Sequence, residues 1–146
     1  MSLISKECIE FNDTRAICIA SENGKSYQIN NKSKLKVCKV KVDHCLTQKE
    51  GERRCDYLMS INEKTTKRVF FIELKGSGLN DAIKQIYSTV IYLKKDFQDY
   101  QKDARIVGSR DVPNLINTPD YKKLAREILP KGKILRSTNK FYSENI

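Results

Sequence analysis

At 146 residues the chain has the length of one domain and can bury a substantial core. Its 39% hydrophobic content, with no apolar run near membrane-spanning length, excludes a helical membrane protein. A net charge of +10, from 28 Lys and Arg against 18 Asp and Glu, points to a polyanionic partner, nucleic acid above all.

The opening Met-Ser-Leu-Ile-Ser-Lys-Glu carries an early acid and no apolar signal core, so a cytoplasmic location is expected. Five cysteines (8, 18, 38, 45 and 55) form an odd set, mostly inside apolar runs, and read as reduced, buried thiols. Residues 3–30 read as a small antiparallel meander. Ile-Cys-Ile-Ala at 17–20 and Ser-Tyr-Gln-Ile-Asn at 26–30 flank the hairpin signal Asn23-Gly24. Lys and apolar residues alternate over 32–46, which predicts a strand with one solvated face, ending at Asp43-His44. Asp43 reads either as a turn former or as a further carboxylate of a site. His44, the one histidine, reads as a structural hydrogen-bonding group or as a base near neutral pH. Cys38, His44, Cys45 and Cys55 lack the paired Cys-x-x-Cys of a structural zinc site.

The centre of the chain is more specific. Cys55-Asp56-Tyr57-Leu58-Met59-Ser60-Ile61 predicts a strand, and Val69-Phe-Phe-Ile-Glu-Leu-Lys75 a second, buried on both faces at its start. Glu73 and Lys75 share the face of Val69 and Phe71. A hairpin between the strands brings Asp56 beside them. Two carboxylates on neighbouring rigid strands suit Mg²⁺ or Mn²⁺, which take few protein oxygens and keep several waters.

Asp56, sixteen intervening residues and then Glu73-Leu74-Lys75 resembles the PD-(D/E)xK phosphodiesterase superfamily, which includes Holliday-junction resolvases and RecB-like nucleases. Cys55 stands where the family's name has proline. The resemblance spans residues 40–110. It implies a restriction-endonuclease-like mixed α/β sheet flanked by helices, with Asp56, Glu73 and Lys75 catalytic and Asp56, Glu73 and the Leu74 carbonyl holding the metal. It also implies hydrolysis to a 5′-phosphate and a 3′-hydroxyl. Relatives often begin with a helix bearing an extra acid; here a meander stands instead, and Glu7 or Glu10 is the candidate. RecB-like relatives carry a Gln-x-x-x-Tyr motif after the Glu-x-Lys strand. Gln85 fits its first position, with Thr89 at the last, and reads either as a supporting residue of the site or as a surface glutamine.

After Gly76-Ser-Gly, Asn80 reads as the cap of a helix whose stripe, Ile83, Ile86, Val90, Leu93, Phe97 and Tyr100, extends to about residue 101. A strand over 104–108, a helix over 121–129 closed by Pro130, and a strand over 133–136 follow, before a polar tail. The whole reads as one nuclease-like domain: an extension over 1–31, a core over 32–110 and a C-terminal helix and strand over 111–146, with the site at one edge of the sheet. Basic residues crowd 25–54 and 121–140, which makes Lys39, Lys41, Arg53, Arg54, Lys131, Lys133 and Arg136 the expected nucleic-acid contacts. DNA is the first substrate expected. An RNA or tRNA endonuclease on the same fold, or a non-catalytic binding module, is the alternative. A homodimer or larger nuclease complex fits duplex cleavage.

Overall fold

The computed structural model describes residues 2–47, 51–74 and 78–146. Nine strands and two α-helices follow one another as β1 (Ile9–Asp13), β2 (Ile17–Glu22), β3 (Lys25–Asn30), β4 (Val37–Lys41), β5 (Tyr57–Glu63), β6 (Thr66–Glu73), α1 (Leu79–Tyr92), β7 (Gln101–Val107), α2 (Pro119–Ile128), β8 (Ile134–Ser137) and β9 (Phe141–Asn145). Six strands make a mixed sheet in the order β1-β4-β5-β6-β7-β8, and β2-β3-β9 make a second sheet. The expected α/β architecture with a mixed sheet is present.

Three layers result from the strand alternation. On β5 and β6, Leu58, Val69 and Phe71 face the helices, where they pack with Ile83, Ile86 and Val90 of α1 and Leu124 and Ile128 of α2. Met59, Ile61, Phe70 and Ile72 face the other way, onto Cys18, Ala20, Tyr27 and Ile29 of the small sheet. Both faces of the central strands are therefore covered, which is why they read as unbroken apolar runs.

Several boundaries differ from the sequence reading. The N-terminal segment is not a meander: β1 pairs antiparallel with β4, while β2 and β3 form a separate hairpin. Asn23 and Gly24, with φ of 55° and 73°, make the tight turn that the hairpin needs. The strand expected over 32–46 is confined to β4. Before it, the Asn31 amide bonds Leu35 on both its N–H (3.0 Å) and carbonyl (2.7 Å), holding a turn. After it, His44 takes a φ of 63° and the Val42 carbonyl accepts from Leu46.

The long helix ends at Tyr92. Lys94, Asp96 and Tyr100 then donate three residues back, in successive turns that swing Phe97 edge-on to Phe71. The 93–100 periodicity is thus satisfied by turns rather than by helix. Gly78, not Asn80, is the residue at the helix N-cap. The polar tail supplies β9, parallel to β3. Cys8 and Cys45, expected as thiols, are joined by a disulfide across Cα atoms 5.7 Å apart; Cys18, Cys38 and Cys55 are free. Among the described residues no helix is long and apolar enough to cross a membrane.

Candidate functional site

Asp56 immediately precedes β5 and Glu73 ends β6, so the pair stands at the end of the two central strands, not at an edge of the sheet. Tyr57 pairs with Ile72, which sets Asp56 and Glu73 opposite each other one step further on. Each carboxylate is fixed by the other strand's backbone. The Leu74 N–H donates to Asp56 Oδ2 at 2.7 Å, and the Asp56 N–H donates to Glu73 Oε1 at 3.1 Å. Asp56 is 2% exposed and Glu73 fully buried. Two acids so deep, so close and so rigid are costly unless something positive or a proton offsets them.

A third carboxylate reaches Asp56. Along β2, Cys18 and Ala20 point into the core, and Glu22 continues that face at the hairpin end. Its carboxylate lies against Asp56, a contact that is a hydrogen bond only when one of the two carries a proton. Burial, with the Glu22 charge and contact adding to it, raises the Asp56 carboxyl to about 6, although the Leu74 amide pulls the other way. Glu22 Oε1 lies 3.6 Å from the Lys41 ammonium. Glu22 Oε2 is buried and accepts no hydrogen bond from the described residues. Sequence reasoning missed Glu22. Its signal was a carboxylate in the inward register of a strand whose other inward residues are Cys and Ala.

Lys75 lies outside the described residues. Asp43 sits beside Cys55 in the backbone ladder, but its carboxylate turns to His44 Nε2 at 3.3 Å, and the His44 side chain is 79% exposed. Gln85 is buried on the inward side of α1, and its carbonyl accepts from Thr89 Oγ1, which in turn accepts from the Cys55 N–H at 2.8 Å. That chain of bonds seats the residue before Asp56 on the helix. Burial pushes the Cys55 thiol up, and Cys45 is spent in the disulfide, so the Cys–His set does not assemble. Of the N-terminal acids, Glu7 is exposed and Glu10 pairs with Lys39 at 2.7 Å.

The basic residues divide. Arg54, expected as a nucleic-acid contact, is instead buried: its side chain is 9% exposed, bonds Thr47 Oγ1, Ser88 Oγ and the Arg53 carbonyl, and stacks 4.2 Å from the Tyr92 ring centroid. It pins the loop to α1. Lys39 is likewise buried against Glu10, with its ammonium 4.6 Å from the Tyr57 ring centroid. Arg53, Lys131, Lys133 and Arg136 are exposed, Arg53 with Asp81 at 3.3 Å and Arg136 with Asp111 at 3.0 Å.

Among the described residues no three His, Cys, Asp or Glu side chains converge as a ready metal cluster. The donors nevertheless fit a hard cation, because Asp56, Glu73 and Glu22 supply only oxygen and Glu22 Oε2 is buried without a hydrogen-bond partner among the described residues. Comparison with known proteins places the chain in no group: no protein-family model, no curated protein and no solved structure matches it.

Proposed function

We propose that the chain is a restriction-endonuclease-like phosphodiesterase of the PD-(D/E)xK kind, which uses Mg²⁺ or Mn²⁺ to hydrolyse DNA to 5′-phosphate and 3′-hydroxyl products. The observation that carries this reading is the cross-locked pair, Asp56 and Glu73, each fixed by the other strand's amide at the end of β5 and β6. The antiparallel run β4-β5-β6, followed by α1 and by β7 parallel to β6, supports the fold assignment.

Asp56 and Glu73 would hold the ion with the Leu74 carbonyl, and Glu22 stands ready as a further carboxylate. The ion's contribution there is positive charge for the phosphate oxygens and a lowered pKa for the attacking water. The protein's own part is to fix both carboxylates before substrate arrives, so no reorganisation is needed later. Lys75 orients the water in this reading, and the exposed Arg53, Lys131, Lys133 and Arg136 grip the backbone. Two copies, or a larger complex, would serve both strands of a duplex.

Labelled single- and double-stranded DNA and RNA, incubated with and without Mn²⁺, test the assignment. Divalent-dependent DNA cleavage with 5′-phosphate ends is expected. Cleavage of RNA alone moves the substrate to RNA. Salt-dependent binding with no cleavage of any of the four makes the chain a binding module instead.

A further inference from the structure

β4 presents Val37, Lys39 and Lys41 to the side of the small sheet, since residues two apart share a face. The two lysines share Tyr57, with ammonium groups 4.6 Å and 4.9 Å from its ring centroid. They are held very differently. Lys39 closes on Glu10 at 2.7 Å and is 9% exposed, a completed ion pair. Lys41 stops 3.6 Å from Glu22 Oε1, and its side chain stays 27% exposed. It is a cation seated on the protein but not used up by it.

Its place matters more than its exposure. Lys41 touches Glu22, and Glu22 touches Asp56. Glu22 thus links Lys41 to Asp56.

We propose that Lys41, seated on Tyr57, is a second lysine of the active site and contacts a non-bridging oxygen of the scissile phosphate. This rests on the phosphodiesterase reading above. In the reaction, the water oxygen bonds to phosphorus as the bond from phosphorus to the 3′ oxygen breaks. The water loses a proton to solvent, and the departing 3′ oxygen gains one from solvent. Lys41 keeps its protons and forms no covalent bond; it neutralises charge that builds on the phosphate oxygens. Tyr57 is a positioning residue, which sets where the ammonium sits.

A diffuse backbone contact and a contact to the scissile phosphate respond differently to substitution. Steady-state cleavage of a duplex oligonucleotide with Mn²⁺ is measured for wild type, Lys41→Met, Lys41→Arg and Tyr57→Phe. Anisotropy of the same oligonucleotide in Ca²⁺, Mn²⁺ calorimetry and melting temperature are followed in parallel. For Lys41→Met we expect kcat to fall about a hundredfold. Its KM, oligonucleotide affinity and Mn²⁺ affinity should stay within about threefold of wild type, since a single phosphate contact is a small part of total binding. Lys41→Arg should recover part of the loss, and Tyr57→Phe should lower kcat about tenfold with its melting temperature kept. A kcat for Lys41→Met within threefold of wild type, or a loss confined to KM and to affinity, overturns the role of Lys41 and leaves the phosphodiesterase reading intact. A wild type that cleaves nothing with Mn²⁺ overturns both.

Discussion

Two groups of buried charge lie on the central strands of the six-stranded sheet, and they follow opposite rules. Around Arg105 every charge is answered. Its guanidinium, 2% exposed, donates to both Glu144 oxygens at 2.6 Å and 3.1 Å, and to the carbonyls of Ala104 and Lys133. The Tyr27 hydroxyl donates to the same Glu144 oxygen at 2.6 Å. Asp103, fully buried, accepts from Arg68, Gln101 and the Lys133 amide; burial would raise it, but these partners outweigh burial and hold it below the ordinary value. At the end of β5 and β6, Asp56 lies against Glu22 as well as beside Glu73, and Glu22 Oε2 is buried without a hydrogen bond from the described residues. A closed network of opposite charges ties β9 and β7 together and is structural. Like charges crowded at a strand end cost stability, a cost that a bound cation can repay.

The sharpest way to break this contrast is on activity. Glu73→Gln keeps an oxygen for the Asp56 amide and removes the charge. We expect divalent-dependent cleavage to drop at least a thousandfold with the melting temperature unchanged or higher. Retained cleavage would make the acid end as structural as the Arg105 end.

Arg105→Met should do the reverse. It strands Glu144 beneath the small sheet, and urea unfolding should show a loss of about 3–5 kcal/mol. A loss under 1 kcal/mol would mean that the network adds little to the joint between the sheets.

Asp56 sharpens the contrast through pH. Its folded value, about 6, lies above the ordinary 3.8, so the folded state holds the extra proton between those values. Stability from this group is full below pH 4 and lost as pH rises through 6, by about 3 kcal/mol. Asp56→Asn should therefore flatten the stability profile between pH 4 and 6 and be the more stable protein at pH 7. Glu22→Gln should bring the Asp56 titration, followed by carboxyl carbon NMR, down toward the ordinary range. Asp103 has its carboxyl held low and should show the opposite trend, losing its stabilisation only as pH falls below the ordinary aspartate value. The smallest effect is expected from Tyr27→Phe, which removes one hydrogen bond to Glu144 and should cost about 1 kcal/mol in the same urea assay.

The Asp56–Glu73 pair is legible in the sequence because a hairpin of two apolar strands fixes their register through local pairing. Glu22 is 34 residues from Asp56, and nothing local brings them together; the small sheet must first stack on the large one. The inward alternation Cys18, Ala20, Glu22 was the available signal. Arg105 carried a similar one, as a charge inside Ala-Arg-Ile-Val that demands a partner. That partner, Glu144, sat in a segment polar enough to pass for a tail, because β9 is an edge strand with one face in water. Arg54 and Lys39 were read as surface cations since charge runs usually are. A guanidinium can also be buried when hydroxyls and an aromatic face receive it, as Thr47, Ser88 and Tyr92 do here.

The central claim is that the acid end of β5 and β6 is built to take a divalent cation. Calorimetric titration of Mn²⁺ into wild type and Glu73→Gln at pH 7 tests it most directly. One saturable site in wild type, with affinity at least tenfold weaker in Glu73→Gln, is the predicted result. Equal affinity in the two proteins, or no binding to wild type, would contradict it.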